Sequence, residues 1–280
     1  MIECKELNQS FETKEELFKA LRDNAKDIIS LKCSEVHKSS EKGQAVESKG
    51  LINKETTKGT LELKEDNIYP VINTIGYLDS HRDLHVKGIW NKSAKEQNGR
   101  IHYVSDHSLK IADVIAWKAD VNVLVKDVRW TDVGYKYAGY TEALVFEIPK
   151  NKLRHKEALQ IINDGLEIEN SVRMQYVKIV LCYDSEEKED LEYKENFDKY
   201  YSLIQNKEDF ENLTYFYAVL EAKIVSEGSM VVAGSNSATR VLQNKHIESQ
   251  ISTQKETDKA VESQINTLEA KDKLSIYSFN

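Results

Sequence analysis

The feature that most constrains the fold is a set of strand-like segments in the middle of the chain. Segments 69–78 (YPVINTIGYL) and 121–130 (VNVLVKDVRW) are rich in β-branched and aromatic residues, which favour β-strands. In the second segment valine occupies every other position from Val121 to Val125, a pattern that predicts a strand with one buried face. The same reasoning predicts further strands at 142–148, Glu169–Tyr183 and 214–226.

Helical patterns precede and interrupt these strands. Thr13 followed by Glu16 is a capping-box pattern, and apolar residues follow at helical spacing, so we expect a helix over 10–33. A second helix is predicted at about 151–163, with Gly165 as its C-cap. Segment 184–212 is a charged insertion whose apolar residues recur at i, i+3, i+4 and i+7. We expect it to form a surface helix; a lid and an interaction surface are the alternatives.

The two ends of the chain differ from its middle in composition. Residues 34–59 are rich in Lys, Ser, Glu and Gly, which predicts a flexible linker. Together with the helix before it, this linker is expected to form an appendage outside the core. Residues 238–280 are predicted to form a polar helical tail. The predicted fold class is therefore α+β. Residues 60–237 would form a mostly antiparallel, β-barrel-like domain with inserted helices, flanked by an N-terminal helix with its linker (1–59) and by the tail.

Composition excludes several classes of function. The 280 residues carry a formal net charge of −8, which argues against nucleic acid as a partner, because an acidic surface gains no counterion-release energy on phosphates. No apolar run approaches the roughly 18–20 residues that cross a bilayer, so no membrane association is expected. The first 16 residues lack the apolar core of a secretory signal, and the three cysteines show no metal or disulfide spacing. We expect a cytoplasmic protein with free thiols.

Common catalytic motifs are absent from the sequence. It contains no P-loop, no dinucleotide-binding glycine motif, no GxSxG and no HExxH. His81 and His85 are four residues apart, which is metal-ligand spacing on a helix, but this segment reads as a loop or extended chain with no third ligand nearby. We therefore expect solvated loop histidines there. Neither a metal nor an organic cofactor is expected.

Two polar spots interrupt the strand pattern. Ser105-Asp106-His107-Ser108 comes just before an apolar run, and Asn170-Ser171-Val172-Arg173 stands at the head of a predicted strand. A lone histidine or serine is most often structural. As a pair they fit acyl transfer, because a serine hydroxyl becomes a nucleophile when a neutral imidazole accepts its proton. The residues by themselves do not identify a protease.

Four segments of the chain resemble those of the prohead serine proteases of tailed phages (caudoviruses), which are distant relatives of the herpesvirus assemblins. These segments are 76–90 (GYLDSHRDLHVKGIW), 101–111, 165–179 (GLEIENSVRMQYVKI) and 217–236 (YAVLEAKIVSEGSMVVAGSN). They occur in the family's order, with the histidine segment first, then the serine strand and then a strand that bears an acid. The resemblance covers about residues 60–237.

The resemblance implies roles for particular residues. Ser171 matches the nucleophile, His107 the general base and Glu221 the third member, with Asp106 as the rival orienting group. Arg173 and Val172 are candidates for the oxyanion site or the substrate cleft. The family usually carries glycine at the position of Arg173, so this arginine would narrow the cleft, supply positive charge to an oxyanion or weaken activity.

The resemblance also implies substrates and location. The expected activity is cleavage of scaffold protein and major capsid protein precursors inside the procapsid, in the host cytoplasm, with a homo-oligomer as a further option. Segments 34–59 and 238–280 are candidates for self-cleavage or docking because they are expected to be exposed. Two alternatives remain: a catalytically inactive capsid-assembly or scaffold-type binding protein, and an unrelated β-rich binding module.

Overall fold

The structure, a computed structural model, describes residues 1–37, 59–210 and 212–243. The predicted flexible linker falls largely, and the predicted helical tail almost entirely, outside the described residues, together with their role in self-cleavage. Twelve strands and four α-helices are described. The strands are β1 (Ile2–Cys4), β2 (Gln9–Phe11), β3 (Val36–His37), β4 (Asn67–Thr74), β5 (Asp83–His85), β6 (His102–Ser105), β7 (Val114–Ala116), β8 (Asn122–Arg129), β9 (Tyr140–Pro149), β10 (Glu169–Tyr183), β11 (Tyr215–Val231) and β12 (Val241–Leu242). The helices are α1 (Lys14–Ser34), α2 (Asn91–Gln97), α3 (Lys156–Asp164) and α4 (Leu191–Tyr201).

Two sheets form the centre of the molecule. The larger has the order β3-β10-β11-β6-β7, with β5 also paired to β11, and the second has the order β12-β4-β9-β8. All pairings are antiparallel except those of β5 and β6 with β11. The α+β class is therefore confirmed. No sheet within the described ranges closes into a barrel.

The two sheets pack tightly against each other at Gly228 of β11. A Cβ atom at this position would lie 2.6 Å from the ring of Phe146 in β9 and 3.2 Å from Ile72 in β4. Nearby, the rings of Tyr103 and Phe146 meet edge to face, with centroids 6.3 Å apart. Only glycine leaves room for this contact. Close packing of the sheets thus depends on a position that lies between Glu227 and Ser229.

Helix α1 covers the long hairpin of β10 and β11. Its N-cap is Thr13, whose hydroxyl accepts a hydrogen bond from the Glu16 N–H, as the capping-box pattern predicts. Leu17 and Leu21 are fully buried in the same apolar cluster as the core residues of β10. The expectation that this helix is an appendage is therefore wrong, because its apolar face closes one side of the main core.

Helices α3 and α4 lie in segments predicted to be helical but differ from expectation at their ends, whereas α2 was not predicted. Helix α3 begins at Lys156, after His155, whose Nδ1 accepts a hydrogen bond from the Ala158 N–H. It ends at Gly165 with φ of 68°, so the predicted C-cap is confirmed. In the charged insertion, Phe197 and Tyr200 of α4 pack into a separate apolar cluster beside Phe216. The insertion is thus a surface helix with one packed face.

Candidate functional site

His107 lies in a tight turn at the end of β6. Asp106 and His107 have φ values of 48° and 54°, and the Ser108 N–H donates to the Ser105 carbonyl over 2.9 Å, as in a type I′ turn. Two successive non-glycine residues in the left-handed region cost about 1–2 kcal/mol each. Hydrogen bonds to β11 hold the turn: Asp106 N–H donates to the Met230 carbonyl (3.0 Å) and His107 N–H to Ser229 Oγ (2.8 Å). A strained turn held by a neighbouring strand is typical of functional sites.

The imidazole of His107 is paired with a buried carboxylate. His107 Nδ1 lies 2.8 Å from Glu227 Oε1, and the two side chains are 1% and 0% exposed. The carboxylate accepts a hydrogen bond from Nδ1–H, so the proton stays on Nδ1 and Nε2 is the nitrogen with a free lone pair. Within the part of the chain that the structure describes, Nε2 has no hydrogen-bond partner. This tautomer is the one that a general base requires.

Ser171 lies on the strand next to this pair. It is directly opposite Ser229 in the register of β10 and β11, and directly opposed residues point to the same face of a sheet. Glu227 is two residues before Ser229, so its side chain lies on that face as well. The structure thus brings Ser171, His107 and Glu227 to one face of three neighbouring strands. No hydrogen bond joins the Ser171 hydroxyl to the His107 imidazole.

Glu221 lies elsewhere on β11. Its Oε1 is 3.0 Å from Lys92 Nζ in a partly exposed ion pair, and it is six residues, or about 20 Å of strand, from Glu227. The expectation for the third residue is corrected: Glu227, not Glu221, contacts the imidazole. In the described part of the chain the rival Asp106 is not paired with His107 either; its side chain accepts a 3.5 Å hydrogen bond from Ser105 Oγ.

A bulge explains why strand alternation did not reveal Glu227. Val172 pairs with Gly228 but Met174 pairs with Ile224, so three residues of β11 lie opposite Arg173 alone. Ser226, within the bulge, has φ of 67°. Alternation assigns faces only along a regular strand. The available signal was the polar run Ser226-Glu227-Gly228-Ser229 inside a long apolar strand.

The two predicted cleft residues are both buried. Arg173 is 6% exposed and lies at the bulge, two residues beyond Ser171 on β10. Val172 is 4% exposed, belongs to the main core and lines a cavity beside Ser171. Val172 thus contributes an apolar wall to the cavity, whereas Arg173 is not part of the lining, and its role in a cleft stays a prediction.

The cavity beside Ser171 has a volume of about 420 Å³. It lies between β10, α1 and the segment before β5, and Asp79, Asp83 and Lys32 line it. Lys32 Nζ is 2.7 Å from Asp83 Oδ1, and the Tyr176 hydroxyl donates to Asp83 Oδ2 over 2.8 Å. Burial, with the charge of Asp83 as the next cause, raises the pKa of Asp79 to about 8. Ionisable side chains therefore line a cavity that reaches Ser171.

The expectation of two solvated loop histidines is correct only in part. His81 is exposed, but His85 is 1% exposed within β5, and its Nδ1 lies 3.1 Å from Asn73 Oδ1. Its Nε2 is 3.5 Å from the Tyr176 hydroxyl. Within the described ranges no group of three or more His, Cys, Asp or Glu side chains has a geometry suited to a metal ion.

Comparison of the chain with family models, with curated proteins and with solved structures finds no match in any of the three. None of the helices in the described ranges combines the length and apolarity that crossing a membrane requires.

Proposed function

We propose that the protein is a serine endopeptidase in which Ser171 is the nucleophile, His107 the general base and Glu227 the group that orients the base. The observation that carries this proposal is the 2.8 Å contact between His107 Nδ1 and the buried Glu227 carboxylate. It leaves Nε2 free on the face of the sheet that Ser171 shares. A buried carboxylate, an imidazole and a hydroxyl in this order are the components of a serine-protease triad.

The reaction follows from these roles. When a substrate brings the Ser171 hydroxyl within hydrogen-bond reach of Nε2, the imidazole accepts the proton and Oγ attacks the peptide carbonyl carbon. The tetrahedral intermediate collapses as the C–N bond breaks, and the His107 imidazolium gives its proton to the leaving amine. Water then repeats the sequence on the acyl-enzyme and frees Ser171. Glu227 stabilises the imidazolium in both halves.

The substrate class is proposed from the resemblance to prohead proteases. We infer cleavage of scaffold protein and major capsid protein precursors inside the procapsid in the host cytoplasm, with self-cleavage and a homo-oligomer as parts of the same proposal. We also propose, from the same resemblance, that the β domain has a barrel-like form. Arg173 is proposed as a cleft residue because it lies two residues beyond Ser171 on β10.

A proteolysis assay tests the proposal. Purified protein is incubated with unfolded casein, and fragments are followed by mass spectrometry. Ser171→Ala and His107→Ala are expected to abolish fragment formation, whereas Ser202→Ala, which removes an exposed hydroxyl at the end of α4, should leave it unchanged. Equal fragmentation by Ser171→Ala and the unsubstituted protein would refute the assignment.

One observation favours the second candidate, an inactive capsid-assembly protein. The His107 ring is 1% exposed, and its Nε2 makes no bond to Ser171. If this arrangement persists with substrate present, the residues form a structural network only. A protein that binds scaffold or capsid precursor but produces no fragments in the same assay would identify this function.

A further inference from the structure

The cavity beside Ser171 combines apolar walls with buried charge. Side chains from α1, from β3 and from β10 form its apolar part: Ile28, Leu31, Val36, Val172 and Met174. Ser171 itself is part of the lining. A side chain that entered from a peptide bound at Ser171 would therefore meet an apolar surface first.

The cavity wall carries an excess of negative groups. Four carboxyl groups line it (Glu6, Glu35, Asp79 and Asp83) against two ammonium groups (Lys5 and Lys32). Lys32 is engaged by Asp83 at 2.7 Å and by Glu6 at 3.6 Å. Glu35 and Asp79 therefore form no direct ion pair with either ammonium group within the described part of the chain.

Asp79 is the buried carboxyl group of the wall that has no direct ion pair; the nearby charge of Lys32 favours its ionised form but does not offset burial. Asp79 is 2% exposed, and its Oδ1 accepts hydrogen bonds from the backbone N–H groups of His81 (2.8 Å) and Asp83 (2.9 Å). Among the residues that the structure describes, it forms no ion pair. Its raised pKa of about 8 reflects burial beside the Asp83 charge. An incoming cation would stabilise the ionised form.

The geometry points to a specificity pocket for a basic side chain of the substrate, with Asp79 as the recognising carboxylate. This inference rests on the proposed peptidase function. A lysine or arginine side chain matches the pocket because its methylene stem packs on apolar walls while its charged end requires a carboxylate. A volume of about 420 Å³ is ample for one such side chain.

Binding of two matched small probes tests the pocket independently of catalysis. N-acetyl-lysine methylamide and N-acetyl-norleucine methylamide differ in the charged end only. The lysine probe is expected to raise the melting temperature of the unsubstituted protein and of Ser171→Ala, and the norleucine probe should produce a smaller shift. Asp79→Asn keeps the Oδ1 acceptor for the two backbone N–H groups. It should lower the affinity for the lysine probe by about tenfold. Asp164→Asn, an exposed carboxylate at the end of α3, serves as the control.

Sequencing the fragments of a peptide library separates this inference from the proposed function. Lysine or arginine should be enriched at one fixed position beside the cut, and the enrichment should disappear in Asp79→Asn but persist in Asp164→Asn. Cleavage without such enrichment, or equal binding of the two probes, would overturn the pocket while leaving the peptidase. Selective lysine binding without any cleavage would support the pocket and refute the peptidase.

Discussion

At the scale of single residues, His107 is held by two interactions that serve different ends. Its backbone N–H donates to Ser229 Oγ, which fixes the left-handed turn, and its ring donates from Nδ1 to Glu227, which fixes the tautomer. The sequence indicated His107 and Ser171 as candidates, and the structure places them on the same sheet without a hydrogen bond from Ser171 to Nε2. The sequence could not indicate Glu227, because the face of a carboxylate beyond a bulge depends on the pairing of two strands.

Replacing Glu227 by Gln tests the orienting role. The amide preserves the shape but no longer favours the Nδ1-protonated ring or stabilises the imidazolium, so kcat/KM should fall by about 10²- to 10⁴-fold. Glu221→Gln is the matched control on the same strand, and it removes only a partly exposed ion pair with Lys92. Steady-state proteolysis measures both. Similar rates for Glu227→Gln and Glu221→Gln would show that Glu227 does not orient the base.

Titration of Asp79 makes the free energy of unfolding depend on pH, and the raised pKa means that stability falls as the pH rises. The pKa of Asp79 rises from 3.8 to about 8 on folding, so the folded state holds this proton more tightly than the unfolded chain. The contribution of this group to the free energy of unfolding is fully present below pH 4 and is lost as the pH rises towards 8. The Asp79→Asn variant has no titratable group at this position, so its free energy of unfolding lacks this pH-dependent contribution. Urea unfolding at pH 5 and pH 8 should show the unsubstituted protein losing stability relative to Asp79→Asn, and a pH-independent difference would contradict this.

At the scale of elements, alternation and capping signals predicted the five longest strands and three of the four α-helices in the described ranges, but not the seven short strands or α2. The strand Glu169–Tyr183 has the predicted bounds, and Thr13 and Gly165 cap their helices as expected. The amphipathic pattern of α1 showed that one face is buried, but it carried no information about the partner of that face. The partner is the β10–β11 hairpin, which lies far along the chain, so the helix was assigned to an appendage.

Truncating the buried face of α1 measures how far this helix belongs to the core. Leu21 is fully buried, so Leu21→Ala should lower the free energy of unfolding by about 2–5 kcal/mol. Lys19→Ala, on the exposed face of the same helix, should change it by less than about 0.5 kcal/mol. Chemical denaturation provides both values. Equal, small effects of the two substitutions would mean that α1 is a loosely attached appendage.

At the scale of the whole molecule, the candidate site lies beside a tight contact between the two sheets. Gly228 lies between Glu227 and Ser229, with the ring of Phe146 against its Cα. Packing between the sheets therefore determines the position of the strand that holds both His107 and its carboxylate. Sequence patterns could not indicate this coupling, because it links β4, β9 and β11 through contacts distant in the chain.

Gly228→Ala tests the coupling between packing and function. The new methyl group would lie 2.6 Å from the Phe146 ring, so the sheets must separate slightly, at a cost of about 1–3 kcal/mol of stability. Displacement of Glu227 and Ser229 should reduce kcat by a larger factor than it changes KM. Adding Phe146→Leu, which makes room for the methyl group, should recover part of both losses. Full activity in Gly228→Ala would show that the site is independent of sheet packing.

The central claim is that His107 activates Ser171. A fluorophosphonate reagent, which reacts with activated serines, tests it directly when the labelled residue is mapped by mass spectrometry. We expect a single label on Ser171 in the unsubstituted protein. Labelling should be at least about a hundredfold slower in His107→Ala, because a general base contributes a factor of about that size. Labelling of other serines instead, or of Ser171 at the same rate without His107, would contradict the account.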